Sequence, residues 1–180
     1  MKKVISVLII AVAIICCANS SIAKDSSTKY ASSYIPDGVY KIYPCHHSGF
    51  CVTNKNGRVA NTNPIIINNR SSSLSQLWRV DNVDGGIVLS SLNDEDYVID
   101  NYGRIIADGN NVVLHEFNGS NAQIWIPYTV KDNVYILCNA DNQAYVLDLD
   151  HDLLYDGNRV MLNIFNGGNN QKWRFEKVGN

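Results

Sequence analysis

Two aspartates recur in matching surroundings: Asp100 closes Tyr97-Val98-Ile99-Asp100 and Asp148 closes Tyr145-Val146-Leu147-Asp148. A carboxylate flanked by amides is equipped for strong hydrogen bonding, because a charged acceptor roughly doubles a bond's strength. Covalent chemistry has no comparable signal. The four histidines stand beside no recognisable nucleophile, and Asp94-Glu95-Asp96 reads as a solvated turn. Cys45, His46, His47 and Cys51 lack the ligand spacing of a zinc site. The residues therefore point to binding without catalysis, metal or cofactor. A plainer alternative is that Asp100 and Asp148 cap backbone N–H groups in turns, a common use of aspartate.

These aspartates are positioned by a repeat. Gln-x-Trp occurs at Gln76-Leu77-Trp78, Gln123-Ile124-Trp125 and Gln171-Lys172-Trp173, with glutamines 47 and 48 residues apart. Trp78, Trp125 and Trp173 are the only tryptophans. A period of this length means one supersecondary unit used three times. The units run from about 38 to 83, 85 to 130 and 132 to 178. The second and third align closely: Asn111 to Gly119 matches Asn158 to Gly167, and Asn121 to Trp125 matches Asn169 to Trp173. The first is more diverged.

Each unit carries four short runs of β-branched and aromatic residues separated by Asn, Asp, Gly and Ser clusters, which predicts strands. In the third unit these are 134–137, 145–149, 159–164 and 171–175. No apolar period of 3.6 residues follows the N-terminal region, so no substantial helix is expected. A single four-stranded unit cannot bury its apolar face alone. The expectation is an all-β closed structure with pseudo-threefold symmetry, its centre filled by the tryptophans with Val80, Ile87, Leu89, Val134 and Ile136. Each motif glutamine is expected to hold loop backbone, since its amide both donates and accepts.

The N-terminus reads as a signal peptide over residues 1–23. It has a basic start at Lys2 and Lys3, an apolar run from Val4 to Ala18, and cleavage expected after Ala23. The run is short for a membrane span, so a secreted chain is expected, with an uncleaved anchor as the alternative. Residues 24–36 read as an extended lead-in, and residues 37–180 suit one domain. Without Lys2 and Lys3 the chain carries 13 basic and 17 acidic residues, net −4. No basic stripe suggests nucleic acid, and no second apolar run suggests membrane insertion. Cys45 and Cys51 are close enough in sequence to close a small disulfide loop. Cys138 would then be free or pair between chains, and the sequence does not fix the partners. Asn69-Arg70-Ser71 and Asn118-Gly119-Ser120 are glycosylation sequons.

With its threefold Gln-x-Trp, Val-Ile/Leu-Asp motif and Asn-Gly-rich turns, the chain resembles the ricin-B-type β-trefoil lectins over about Gly38 to Val178. The resemblance implies a β-trefoil and shallow sugar pockets. In that family an Asp after the second strand accepts sugar hydroxyls, an aromatic residue eight positions before the glutamine stacks on the ring, and an Asn beside the glutamine completes the site. Carried over, the third unit offers Asp148, Asn163 at the aromatic position, Asn170 and Gln171. The second offers Asp100 and His115, but Ala122 in place of the Asn. The first has Thr53, Asn68 and Ser75 and is expected to be scaffold. Tyr102 and Tyr155, in loops after the two aspartates, are candidate platforms. The implied partners are glycans or glycoconjugates. Readings weighed beside a free lectin are a receptor-binding subunit of a toxin or adhesin complex, docked through residues 24–36 with Tyr30 and Tyr34, and a scaffold or inhibitor that has lost sugar binding.

Overall fold

The structure, a computed structural model, describes residues 31–180. The expected signal peptide and residues 24–30 of the lead-in lie outside the described residues.

Among the described residues, thirteen strands form one continuous antiparallel system. Six of them make a ring: β2 (Gly38–Pro44), β5 (Trp78–Val83), β6 (Gly86–Ser91), β9 (Trp125–Lys131), β10 (Val134–Asn139) and β13 (Trp173–Gly179). The order β9-β6-β5-β2-β13-β10 closes on itself through β9–β10 pairing. Closure leaves the barrel no free edge. The remaining strands form three hairpins: β3 (Phe50–Asn54) with β4 (Asn63–Asn69), β7 (Asp94–Asn101) with β8 (Asn110–Glu116), and β11 (Asn142–Leu149) with β12 (Val160–Ile164). β4, β8 and β12 contact one another around a threefold centre. This is the β-trefoil arrangement expected from the repeat. β1 (Ala31–Ser32) lies against β9.

Each motif performs the same two tasks. Every tryptophan is fully buried, and its Nε1 donates to a carbonyl 26 residues upstream: Val52 at 3.0 Å, Ile99 at 3.1 Å and Leu147 at 2.9 Å. The indole thereby fills the core and ties barrel strand to hairpin without leaving its polar atom unpaired. Every glutamine is buried and holds its loop, as expected. Oε1 accepts from the N–H of Ser71, Asn118 and Asn166 at 2.7–2.8 Å. Nε2 donates to the carbonyls of Asn69, Glu116 and Ile164 at 2.8–2.9 Å. Gln171 was expected within a strand. It lies instead in a 3-10 turn, Asn169–Gln171, because its side chain anchors the preceding loop.

The core follows strand parity. Tyr40, Ile87 and Tyr135 occupy equivalent positions, as do Ile42, Leu89 and Leu137, and all six join the main cluster. Ile136 was expected in the centre. It faces the other side of β10, in a small cluster with Cys138 and Val146 covered by Ile126 and Phe165. Its neighbours Tyr135 and Leu137 take the inward places, since a one-residue offset reverses the face. Val134 is fully buried.

A second set of threefold contacts joins the repeats. Asn61 Oδ1 accepts from Glu116 N–H at 2.8 Å, Asp108 Oδ1 from Ile164 N–H at 2.8 Å, and Asp156 Oδ1 from Asn69 N–H at 2.5 Å. Each repeat thus clasps the hairpin of the next.

The expected cysteine pairing is corrected. Cys45, Cys51 and Cys138 are free thiols, and no Cys45–Cys51 disulfide forms. Cys51 is buried in β3, whereas Cys45 is drawn to the third repeat, its N–H donating to Lys172 O and its thiol lying 3.8 Å from Asn169 O. Burial pushes both thiols up. The end of the lead-in lies against the barrel. Ser33 N–H donates to Pro127 O, Ile35 is buried, and Asn82 Nδ2 donates to Ile35 O. Among the described residues no helix is long and apolar enough to cross a membrane, and no cluster of His, Cys, Asp or Glu is gathered for a metal.

Candidate functional site

The three hairpins place the three candidate sites at equivalent positions, and the sites differ in what surrounds the glutamine. In the third repeat Asp148 sits on β11, opposite Met161 of β12. Its side chain is fully buried. Oδ1 accepts from Asn170 Nδ2 at 2.9 Å, and Oδ2 from Gln171 Nε2 at 2.7 Å. Desolvation outweighs these bonds and one from Asn163, and pushes the carboxyl up to about 6. Asp148 therefore caps no turn in this cluster: it binds the two amides beside it. Asn163 and Asn170 are half-buried and face outward over it. The structure thus brings together Asp148, Asn163, Asn170 and Gln171.

In the second repeat Asp100 is buried, and desolvation raises its carboxyl against a hydrogen bond from Gln123 and the nearby His115. His115 is half-buried on β8, with Nδ1 3.0 Å from Glu116 O. Ala122 is buried and brings no amide. In the first repeat Thr53 takes the acid's place: Oγ1 donates to Cys51 O at 2.8 Å and accepts from Gln76 Nε2 at 3.3 Å. Ser75 takes the amide's place, with its hydroxyl 2.8 Å from Ser73 Oγ.

Tyr102 and Tyr155 are exposed in the loops after the aspartates, and neither phenol has a hydrogen-bond partner among the described residues. The Tyr155 loop turns toward the first repeat, since adjacent Asp156 holds Asn69.

A position that sequence reasoning passed over differs among the sites in whether it pairs with a neighbouring repeat. In the second site Arg104 pairs with Asp141 from the third repeat, Nη2 to Oδ1 at 2.5 Å. In the third, Asp152 lies 3.4 Å from His46 Nε2, from the first repeat. In the first, the same positions hold Gly57 and Asn93, and no ion pair forms. The offsets of 47 and 48 residues that align the glutamines also align Gly57, Arg104 and Asp152. The clasp residues Asn61, Asp108 and Asp156 align in the same way.

The chain matches the family described as ricin-type beta-trefoil lectin domain over residues 39–173. No curated protein sequence matches it. Among solved structures, the designed threefold-symmetric protein ThreeFoil is 27% identical, with a TM-score of 0.73 over 79% of this chain and 100% of that one. An exo-beta-1,3-galactanase from Clostridium thermocellum is 26% identical with a TM-score of 0.73, over 81% of this chain but only 32% of the enzyme's chain. The Macrolepiota procera ricin B-like lectin, solved with lactose, is 21% identical with a TM-score of 0.63 over 81% of this chain and 100% of that one. Motif, barrel, hairpin cap and family match agree: the chain belongs to the ricin-type β-trefoil lectin family.

Proposed function

We propose that this protein is a secreted, non-catalytic lectin that binds glycans through the third repeat, with a weaker site in the second. The observation that carries the reading is the Asp148 cluster. A buried carboxylate takes one hydrogen bond from each of two amides and fixes their orientation. Asn170 and Asn163 then offer oriented donors and acceptors to sugar hydroxyls, with Asp148 and Gln171 behind them. The fixed amides lose less freedom on binding, which favours affinity. In the second repeat Asp100 and His115 play the matching parts without the amide of Asn170. Tyr102 and Tyr155 are exposed rings available to cover a C–H face. Single sites of this kind are shallow, and repetition on one rigid body raises avidity by ~10²–10⁴ where geometry permits. Loss of residues 1–23 would release the chain from the cell.

A glycan array tests this. Binding to at least one glycan is expected, with Asp148→Ala removing more of it than Asp100→Ala, and Thr53→Ala removing least. Silence across the array at high protein density would overturn the reading, and equal effects of the three variants would overturn the ranking.

A further inference from the structure

Among the described residues, the side chains bonded to the Asp148 carboxyl all donate to it. Oδ1 takes the Asn170 amide N–H, Oδ2 takes the Gln171 amide N–H, and Asn163 adds a third side-chain bond. That arrangement suits a carboxylate, which only accepts. A carboxylic acid brings an O–H donor. A proton on either oxygen therefore sets O–H against N–H, and one neighbour must turn over to receive it.

The three amides are not equally free to turn. Gln171 is locked by its loop: Oε1 accepts from Asn166 and Gly167 N–H at 2.8 and 3.2 Å, and Nε2 also donates to Ile164 O at 2.8 Å. Asn163 Oδ1 accepts from Ile164 N–H at 3.1 Å. The Asn170 amide makes no second bond among the described residues, and it is half-buried at the rim. Its Oδ1 lies over Gly168, nearer than a Cβ there would allow, and Asn166 Oδ1 borders the same space. Turning Asn170 over brings its oxygen to the Asp148 proton and its Nδ2 toward an acceptor, Asn166 Oδ1. The bond to Asp148 is kept with donor and acceptor exchanged, so no buried polar group is left unpaired.

We propose that Asn170 is a proton-coupled switch of the third site: when Asp148 takes up a proton, the Asn170 amide turns over and the site exchanges an outward acceptor for an outward donor. The proposal rests on the reading of this cluster as the glycan site. A sugar selected by the first arrangement is released by the second, so acidification unloads the third repeat. Burial pushes the carboxyl up to about 6, which places the change in mildly acidic solution. The surrounding charges do not oppose it. β10 brings the Cys138 thiol, which burial pushes up, and β12 brings no ionisable side chain. After β11, Asp150 raises the Asp148 carboxyl further and is itself paired with Arg159 and His151, while Asp152 lies against His46. Lys172, beyond Gln171, is directed to Gly167 O. The second repeat lacks the device, because Ala122 stands in the place of Asn170 and Gln123 is held by Asn118 N–H and Glu116 O.

The test follows amide resonances of the purified chain, without sugar, from pH 7.5 to pH 4.5. The Asn170 side-chain amide and the Gly168 N–H are expected to shift together in one step at about pH 6. Asp148→Asn supplies a donor toward Asn170 at every pH and is expected to show the acid-form positions already at pH 7.5. Asn170→Ala copies Ala122 of the second repeat and is expected to fold and to lose the Gly168 step. On a glycan array the Asp100→Ala chain, which keeps the third site, is expected to bind about tenfold more weakly at pH 5.0 than at pH 7.5, as one proton allows over that interval. An Asn170 amide that keeps its position down to pH 4.5 would overturn the proposal and leave the glycan reading standing. A step at Asn170 with glycan held equally at both pH values would also overturn it. A step at Asn170 on an array silent at both pH values would uphold the turn and overturn the glycan reading of the site.

Discussion

The third and first repeats share one skeleton and differ in the atom that completes it. In both, the glutamine amide bridges two loop backbone groups, and the tryptophan Nε1 reaches a hairpin carbonyl. The remaining bond of Nε2 goes to a carboxylate in the third repeat and to a hydroxyl in the first. The skeleton therefore does not need the acid. Asp148 brings a desolvated charge into a place where threonine serves the fold as well. A residue that is costly to bury and dispensable to the architecture is the one with a separate reason to be there.

The comparison can be broken first at what the repeats share. Trp78→Ala, Trp125→Ala and Trp173→Ala should each cost roughly 3–5 kcal/mol in denaturant unfolding, with little difference among them, since all three are fully buried with the same bond. A much smaller loss at Trp78 would mean the first repeat is not held as the others are.

The next effect separates the repeats. Asp148 holds its proton up to about pH 6 in the fold, against a usual value of 3.8. Over that interval the folded chain binds more protons than the unfolded one. Its contribution to stability is therefore greatest below about pH 4 and falls as pH rises to about 6, by about 3 kcal/mol at 1.36 kcal/mol per pH unit. Asp148→Asn should flatten that fall in urea titrations at several pH values, while Thr53→Ala should leave it in place.

Gln171→Ala and Gln76→Ala each strand a loop carbonyl and loop N–H, but the first also strands the buried Asp148 carboxylate where the second strands the Thr53 hydroxyl. The first should exceed the second by about 1–2 kcal/mol, read from unfolding midpoints at pH 7. Smallest is the clasp: Asn61→Ala and Asp108→Ala should each cost about 1 kcal/mol. Similar losses at both would confirm that the clasp works alike in a repeat with a neutral residue and one with a charge.

The sequence made the skeleton legible because tryptophan and glutamine act through types that few residues replace, at a fixed period. The inward set of β10 was less legible. Val134, Tyr135, Ile136 and Leu137 are all apolar, and only alignment of Tyr135 with Ile87 shows which parity faces the barrel. The Asp148 cluster could be anticipated from three residues in register. The cysteine pairing could not, because closeness in sequence does not show that Cys45 is drawn toward another repeat. The rim pairs also stayed hidden. Arg104 with Asp141 and His46 with Asp152 join different repeats, and nothing in one repeat alone predicts its partner. Their periodicity was present in the sequence all the same, at the spacing of the glutamines.

The pairing of β2 with β13 has a consequence for synthesis. Lys41 lies opposite Glu176, and Pro44 opposite Trp173, so the first barrel strand is completed by the last. While the chain is being made, β2 must wait with one edge unpaired until nearly the whole domain has emerged. An unpaired apolar strand invites association with other chains. The nascent domain is thus most exposed to misassembly just before β13 appears, and a ribosome stalled there would hold five of the six barrel strands in a ring that cannot close.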